Sequence, residues 1–201
     1  MAQNSLYYRA QFETKVTLLP KQIDGNLSDH LLENLRMKVE KKTTEDGIII
    51  RVNNLVSFRD GVIDGTNSSG STVFTVKYDC FVCSPTRGLE IVCSVENMVK
   101  GYIIGKNGPV VVAISFENID SQYFKTGEDT VTNIKTGEQI KFEDYLKVSI
   151  INIQSNLWEK EITMICKLLN FATDAEISAF EMDQKLVTGK DMDEDKQFIW
   201  I

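Results

Sequence analysis

The side chains best able to hold a metal or attack a substrate are few: Cys80, Cys83, Cys93, Cys166 and the single histidine, His30. Cys80-Phe-Val-Cys83 has the gap of a metal knuckle, but a structural zinc needs four converging ligands. The gap lies inside an alternating segment, where residues three apart point to opposite faces of a strand. No second Cys-x-x-Cys pair accompanies it, so buried, apolar cysteine is the reading that fits. His30 lies off the apolar stripe of its helix. An acid–base role needs a partner and a pocket, and the sequence displays neither, which leaves a solvated helix residue. Gly105-Lys106-Asn107 lacks the Ser/Thr and the earlier glycine of a phosphate loop. Asp191-Met-Asp-Glu-Asp195 lacks the glycine and distal Glu of a calcium loop and reads as a solvated acidic run. No metal, cofactor or catalytic constellation is expected.

Recognition chemistry is better supplied. Single-stranded nucleic acid is held by aromatic rings that stack on bases and by cations that follow phosphates. Lys100, Tyr102 and Lys106, with Trp158 in a later loop, provide that set if a barrel places them on one face. Otherwise Tyr102 packs on its own domain and the lysines are solvated. The charge balance limits this surface. Residues 1 to 85 carry ten Lys/Arg and ten Asp/Glu, residues 86 to 173 nine and eleven, and residues 174 to 201 three and eight, which sums to the net charge of −7. A free nucleic-acid binder usually shows a basic excess. Any such contact here comes from a local cluster and is weak alone.

These residues need elements to position them. Phe12, Thr14, Val16 and Leu18 alternate with polar residues, a strand signal. Pro20 ends that strand and Asp24-Gly25 turns the chain. Asn26 suits an N-cap before Leu27, Leu31, Leu35 and Val39, the stripe of an amphipathic helix over about 27 to 41. Strands are predicted at 48–52 and near 55–59, followed by the turn Asp60-Gly61. Thr72 to Cys83 is the longest strand, with Phe74, Val76, Tyr78, Cys80 and Val82 on one face. Pro85 stops it, and a new strand pattern begins at Leu89 with no helix between.

That seam predicts an α+β first unit over residues 1–84, with one helix on a curved antiparallel sheet. An all-β barrel of OB type then covers 85–171. Its five strands fall at 89–96, 102–105, 109–114, 145–153 and 160–169. Segment 115–143 is an insertion in which 134–140 folds back as a hairpin. A helical tail over 172–201 opens on the capping box Thr173-x-x-Glu176, with a helix from about 174 to 187, a stop at Gly189 and an apolar end, Phe198-Ile-Trp-Ile201. No signal peptide is read at the start and no run approaches the length of a membrane span. The expected setting is intracellular, with reduced thiols and no membrane contact.

In order and spacing these features resemble the stalk subunit of multisubunit DNA-dependent RNA polymerases, the seventh subunit of eukaryotic polymerase II and its archaeal counterpart. The residues that carry the resemblance are Phe12-x-x-x-Val16-x-Leu18-x-Pro20, Asp60-Gly61-x-Ile63, Phe74-Thr-Val-Lys-Tyr78, Pro85-x-x-Gly88-x-Glu90, and Val95 followed by Gly101 and Gly108. They cover residues 12 to about 114. The resemblance implies a tip domain that wedges into the base of the polymerase clamp, an S1-like OB domain near the RNA exit path, and a partner subunit that clasps both. It implies docking by two loops, around Pro20, Asp24 and Gly25 and around Gly61, Ile63 and Gly65, and weak contact of the barrel with nascent RNA. The protein would then act where transcription occurs: a nucleus, or a cytoplasmic factory and virion if a large DNA virus is the source. Segment 115–143 and the acidic tail have no clear counterpart in that family. A free-standing S1-like factor binding single-stranded RNA is the alternative, and co-purification with the large polymerase chains separates the two.

Overall fold

A computed structural model describes residues 5–63, 65, 70–127, 130–155, 157 and 160–188. The chain divides into two units, Met1–Pro85 with Ser155–Ile162, and Thr86–Gln154 with Thr163–Ile201.

The first unit is organised by its longest strand pair. β1 (Tyr7–Leu18) runs antiparallel to β5 (Thr72–Cys83) over twelve residue pairs, from Tyr7 opposite Cys83 to Leu18 opposite Thr72, without a slip. The other edge of β5 pairs with β3 (Gly47–Phe58) and then with the two-residue β4 (Val62–Ile63). A short β2 (Lys42–Thr44) completes the sheet beside β3. Because side chains alternate along a strand, one register puts Val16, Leu18, Phe74, Val76, Tyr78, Cys80 and Val82 on a single face. The helix α1 (Leu27–Val39) lays Leu31, Leu35 and Val39 on that face, and all of these residues are buried. Each such side chain contributes roughly 1.5–3 kcal/mol by leaving water.

Three details differ from the sequence reading. The strands expected at 48–52 and 55–59 are one strand, β3, bent by irregularities at Ile49/Arg51, Val52/Asn54 and Leu55/Ser57. Each irregularity shifts the alternation, which is why the sequence looks interrupted. The helix ends at Val39, where Lys42 Nζ donates to the Met37 and Lys38 carbonyls at 2.9 and 2.7 Å. Asn26 is the N-cap residue, but its side chain makes no capping bond; its backbone oxygen accepts from Asp29 and His30 N–H.

In the second unit, β6 (Glu90–Val99), β7 (Tyr102–Asn107), β8 (Val110–Ser115), β12 (Ile162–Phe171) and β11 (Tyr145–Gln154) close into a barrel, β11 pairing back with β6. The unit is mostly β, and five strands closed in this order are compatible with an OB-like fold. Strict alternation sends Ile91, Cys93, Val95, Ile103, Val112, Ile114, Leu146, Val148, Ile150, Met164, Cys166 and Leu168 inward. Gly105 is needed where β7 crosses β6: a Cβ there would lie 3.0 Å from both Cys93 Sγ and the Ser94 carbonyl.

Segment 115–143 is ordered by its own apolar residues. The chain does turn back at 134–140, with Gly137 at φ +73°, and Ile140 N–H donates to the Val131 carbonyl at 2.9 Å. An earlier hairpin was not anticipated: β9 (Phe124–Thr126) pairs with β10 (Val131–Asn133). Ile119, Phe124, Val131 and Ile140 are buried, and Phe124 meets Phe171 of β12 at 6.4 Å between ring centres.

The last described element, α2 (Asp174–Thr188), opens on the Thr173–Glu176 capping box. Thr173 N–H donates to Glu176 Oε2 at 2.9 Å and Glu176 N–H donates to Thr173 Oγ1 at 3.4 Å. The helix is held on the barrel by mixed contacts. Phe180 meets Tyr145 edge to face at 5.5 Å. Gln184 Nε2 donates to Asn107 Oδ1 at 2.8 Å, and the buried Asn107 donates onward to the Val92 carbonyl at 2.7 Å. Lys147 Nζ lies 2.9 Å from Glu176 and 3.0 Å from Glu90. The apolar end and the acidic run expected after Thr188, and the stop at Gly189, lie outside the described residues.

Two outcomes follow. Phe124→Ala should lower the unfolding free energy by about 3–5 kcal/mol in a denaturant titration; a change below about 1 kcal/mol would show that segment 115–143 is not part of the barrel core. The Thr173 amide first, then the Lys147 ammonium and the Thr173 hydroxyl, hold the Glu176 carboxyl at about 2, below its ordinary 4.5. A depressed carboxyl contributes stability that is complete above its unfolded value and is lost as pH falls through the folded one. Since Glu176 is partly solvated, the cap and pair together contribute about 1–2 kcal/mol. The stability gap between the parent chain and Glu176→Gln should be constant above pH 5 and close between about 4.5 and 2; a gap that does not change with pH would refute the assignment.

Candidate docking and nucleic-acid surfaces

The loops expected to dock sit at one end of the first sheet. Thr72, the first residue of β5, is paired with Leu18 on one side and Ile63 on the other. The chain leaving β1 therefore runs beside the chain around β4. Pro20 opens a single 3-10 turn, Pro20–Gln22, fixed by Leu19 N–H donating to Gln22 Oε1 at 3.1 Å. Pro20 lies close to the second loop: a Cβ added to Gly70, which has φ +64°, would lie 3.4 Å from Pro20 Cγ.

Asp24 is a local organiser. Its Oδ1 accepts the Asn26 N–H at 2.8 Å and lies 3.4 Å from His30 Nε2. The Asn26 amide, with a smaller contribution from His30, holds the Asp24 carboxyl below the usual carboxylate range. His30 therefore has a partner, which the sequence did not reveal; the pair is one helix turn from Asn26 and braces the loop.

Gly61 and Gly65 were expected in a docking loop, Gly61 also as the second residue of a turn. Gly61 is instead a close-approach glycine: an added Cβ would come within 2.4 Å of Thr72 Cγ2 and 2.6 Å of Phe74 Cζ. No positive φ is involved, and the constraint is non-local. Gly65 and Gly25 have nothing within 4 Å of an added Cβ. What the sequence missed at this end is exposed apolar surface. Val62 and Ile63 are each 70% exposed, and Leu19, Ile23 and Phe58 are also open to solvent. The available signal was a β-branched pair, Val62-Ile63, set in a turn.

On the barrel, Lys100 is exposed in the turn before β7, and Tyr102, half exposed, is the first residue of that strand. Tyr102, Ile104 and Lys106 alternate with the buried Ile103, Gly105 and Asn107, so Tyr102 and Lys106 share the outer face. They stand roughly 13 Å apart along the strand. Trp158 lies outside the described residues. An exposed aromatic that the sequence reading left aside is Tyr123, with Lys135 Nζ 5.3 Å from its ring centre.

The four cysteines are all buried and unpaired. Cys80 belongs to the core beneath α1, and Cys83 points the other way. Burial pushes the thiols of Cys80, Cys83 and Cys166 up to about 12, and that of Cys93 upward as well. Among the described residues no three His, Cys, Asp or Glu side chains converge as a metal site would require.

No family model matches the chain. Among individual proteins, one from Acanthamoeba polyphaga mimivirus, provisionally named a DNA-directed RNA polymerase subunit, is 49% identical over 199 residues, covering 99% of this chain and 100% of the relative. The DNA-directed RNA polymerase II subunit RPB7 of Glycine max is 32% identical over 127 residues, 61% of this chain and 70% of the relative. Subunit 7 of Arabidopsis thaliana polymerase II is 29% identical over 128 residues, with the same coverage of each chain. The full-length identity to the first and the partial identities to the other two show it: this chain belongs to the RPB7-like family of DNA-directed RNA polymerase subunits.

Proposed function

We propose that the chain is a non-catalytic stalk subunit, docking at the clamp base of its polymerase through the loop end of the first unit and guiding nascent RNA along the barrel. The observation that carries docking is the solvent-facing apolar rim formed by Val62 and Ile63, each 70% exposed, at the end where Leu19 and Ile23 are also open. Apolar side chains clustered this way mark an interaction site more often than a bare surface. Pro20, Asp24 and Gly25 shape one side of that rim, and Gly61, Ile63 and Gly65 the other.

In this reading the first unit is a tip domain, the barrel is S1-like, and the polymerase core is the main partner, joined by a second stalk subunit where one is present. The site of action is wherever that polymerase transcribes; the likeness to a mimivirus protein favours a viral transcription complex. RNA contact would use Lys100, Tyr102, Lys106 and Trp158. A neutral first unit and a net charge of −7 favour a docked subunit over a free RNA-binding factor, because a free binder draws most of its affinity from phosphate contacts.

Val62→Asp with Ile63→Asp tests the docking reading. The expected result is at least about a tenfold loss of co-purification with the two largest polymerase chains, since burying two such residues is worth several kcal/mol, at an unchanged melting temperature. Full retention would overturn it. Alanine at Lys100, Tyr102 and Lys106 together should weaken single-stranded RNA crosslinking by about 5- to 150-fold, the range of one stacked base. An unaltered crosslinking yield sinks the RNA reading and leaves docking standing.

A further inference from the structure

An antiparallel strand with one face in water alternates apolar and polar residues, whereas a strand covered on both faces is apolar throughout. β7 and β8 follow the second pattern over much of their length: Tyr102-Ile-Ile104 and Val110-Val-Val-Ala-Ile114 contain no charge. Ile103, Val110, Val112 and Ile114 fill the barrel. Their neighbours Tyr102, Ile104, Val111 and Ala113 face outward and are only partly covered. The register sets Ile104 beside Ala113, and Tyr102 beside Val99 of β6. The result is a continuous outer strip in which Val99 and Tyr102 are 51% and 50% exposed. Contiguous apolar surface of this kind marks an interaction site.

The barrel is closed, so the strip has no open strand edge to which another backbone could be added. Whatever covers it must pack by side chains, and large apolar ones suit a face made of Tyr, Ile, Val and Ala.

We propose that the strip seats the chain's own residues 198–201, Phe-Ile-Trp-Ile. Position, reach and charge select them. α2 delivers the following residues to the right place, because Gln184 is bonded at 2.8 Å to Asn107, the last residue of β7. Thr188, where the helix ends, is one turn further on. From Asn107 to Tyr102 is five residues along β7, about 17 Å. Gly189 to Phe198 is ten residues, which can span up to about 33–36 Å, so the distance is covered with length to spare. The acidic run at 191–195 crosses no like charge on the way, since the one charged residue in β7 and β8 is a lysine. A segment tied to its own domain by so short a connection meets the strip at an effective concentration of about millimolar, which a separate partner would have to exceed.

Seated there, the segment covers the Tyr102 ring and keeps it from stacking on a base. The seat shares Tyr102 with the RNA reading but does not rest on it, because it is measured with no RNA present. The experiment uses the full chain with Trp158→Phe, which leaves Trp200 as the one tryptophan. Trp200 should be shielded from acrylamide quenching at least about threefold relative to a free peptide of residues 189–201, because a packed indole is out of water. Val99→Asp with Tyr102→Ala, at two half-exposed positions where substitution costs little stability, should abolish the shielding at an unchanged melting temperature. Ala113→Asp, at a separate point on the strip, should do the same. The shielding should persist over about a hundredfold dilution, as a tethered contact does. Trp200 as open as in the peptide overturns the proposal and leaves the strip to another partner. Shielding that survives both sets of substitutions also overturns it. So does shielding lost on dilution, which would assign the strip to a second copy of the chain.

Discussion

The register of β1 on β5 is the constraint on which the first unit depends. Twelve consecutive pairs without a slip fix the parity of every side chain in the two strands. A shift of β1 by one residue against β5 would turn Val16 and Leu18 away from α1 and bring Glu13, Lys15 and Thr17 beneath it. The loss of that apolar contact, at roughly 1.5–3 kcal/mol per side chain, far exceeds anything a displaced strand could recover. The same register sets Leu18 and Ile63 on either side of Thr72, so the strand pairing that builds the core also gathers the two loops at one end.

Asp79 shows how firmly the register is held. It lies in the middle of β5 on the face away from α1, and its side chain is 8% exposed. Stripping water from a carboxylate costs several kcal/mol, and the cost is offset only if a cation arrives with good geometry. Arg9 meets that requirement, since it sits two residues along β1 from Gln11, the direct partner of Asp79. The interaction adds little net stability over an apolar pair, but a slipped strand would leave a buried charge alone. Its contribution is specificity of alignment.

How much was legible in the residues follows from how local each cause is. Alternation over Thr72–Cys83 and in the five barrel strands is a local signal, and those elements lie close to where it put them. The turn at 134–140 was marked by its glycine. β3 was split in two because its bulges reverse the alternation around Asn53-Asn54, so the single strand is visible only once its partner β5 is present. The hairpin β9–β10 is too short for periodicity to register, and Phe124 is held by Phe171, forty-seven positions away. Gly61 looks like any turn glycine, yet what demands it is the approach of Thr72 and Phe74. His30 was read as solvated because its partner Asp24 lies before the helix, where stripe analysis does not look. The residues named for docking came from family likeness and those named for RNA from base-stacking and phosphate chemistry on an expected barrel face, and the exposed Val62-Ile63 pair that gives the rim its apolar character was only half included.

Stability and recognition are separated in this chain. The core beneath α1 is complete without Val62, Ile63, Leu19 or Ile23: its members are buried while those four stay open. Leaving apolar groups in water costs free energy, and a sequence under selection for stability alone would replace them with polar residues at no cost to packing. Val62 and Ile63 lie on the two-residue β4, whose pairs Val62–Val73 and Ile63–Thr72 fix their backbone without burying them. A rigid, pre-formed apolar rim loses little conformational entropy when it meets a partner. α2 is the opposite case. None of its described residues is fully buried, and it is held by one aromatic contact, one amide bridge and an ion pair. Few buried apolar contacts place a segment at the low-stability end of a structure. The barrel does not need α2 to close, since its five strands already form a complete ladder. The helix thus adds polar and aromatic contacts to a barrel whose five strands close without it, whereas the rim is set on a strand whose partner β5 lies in the core.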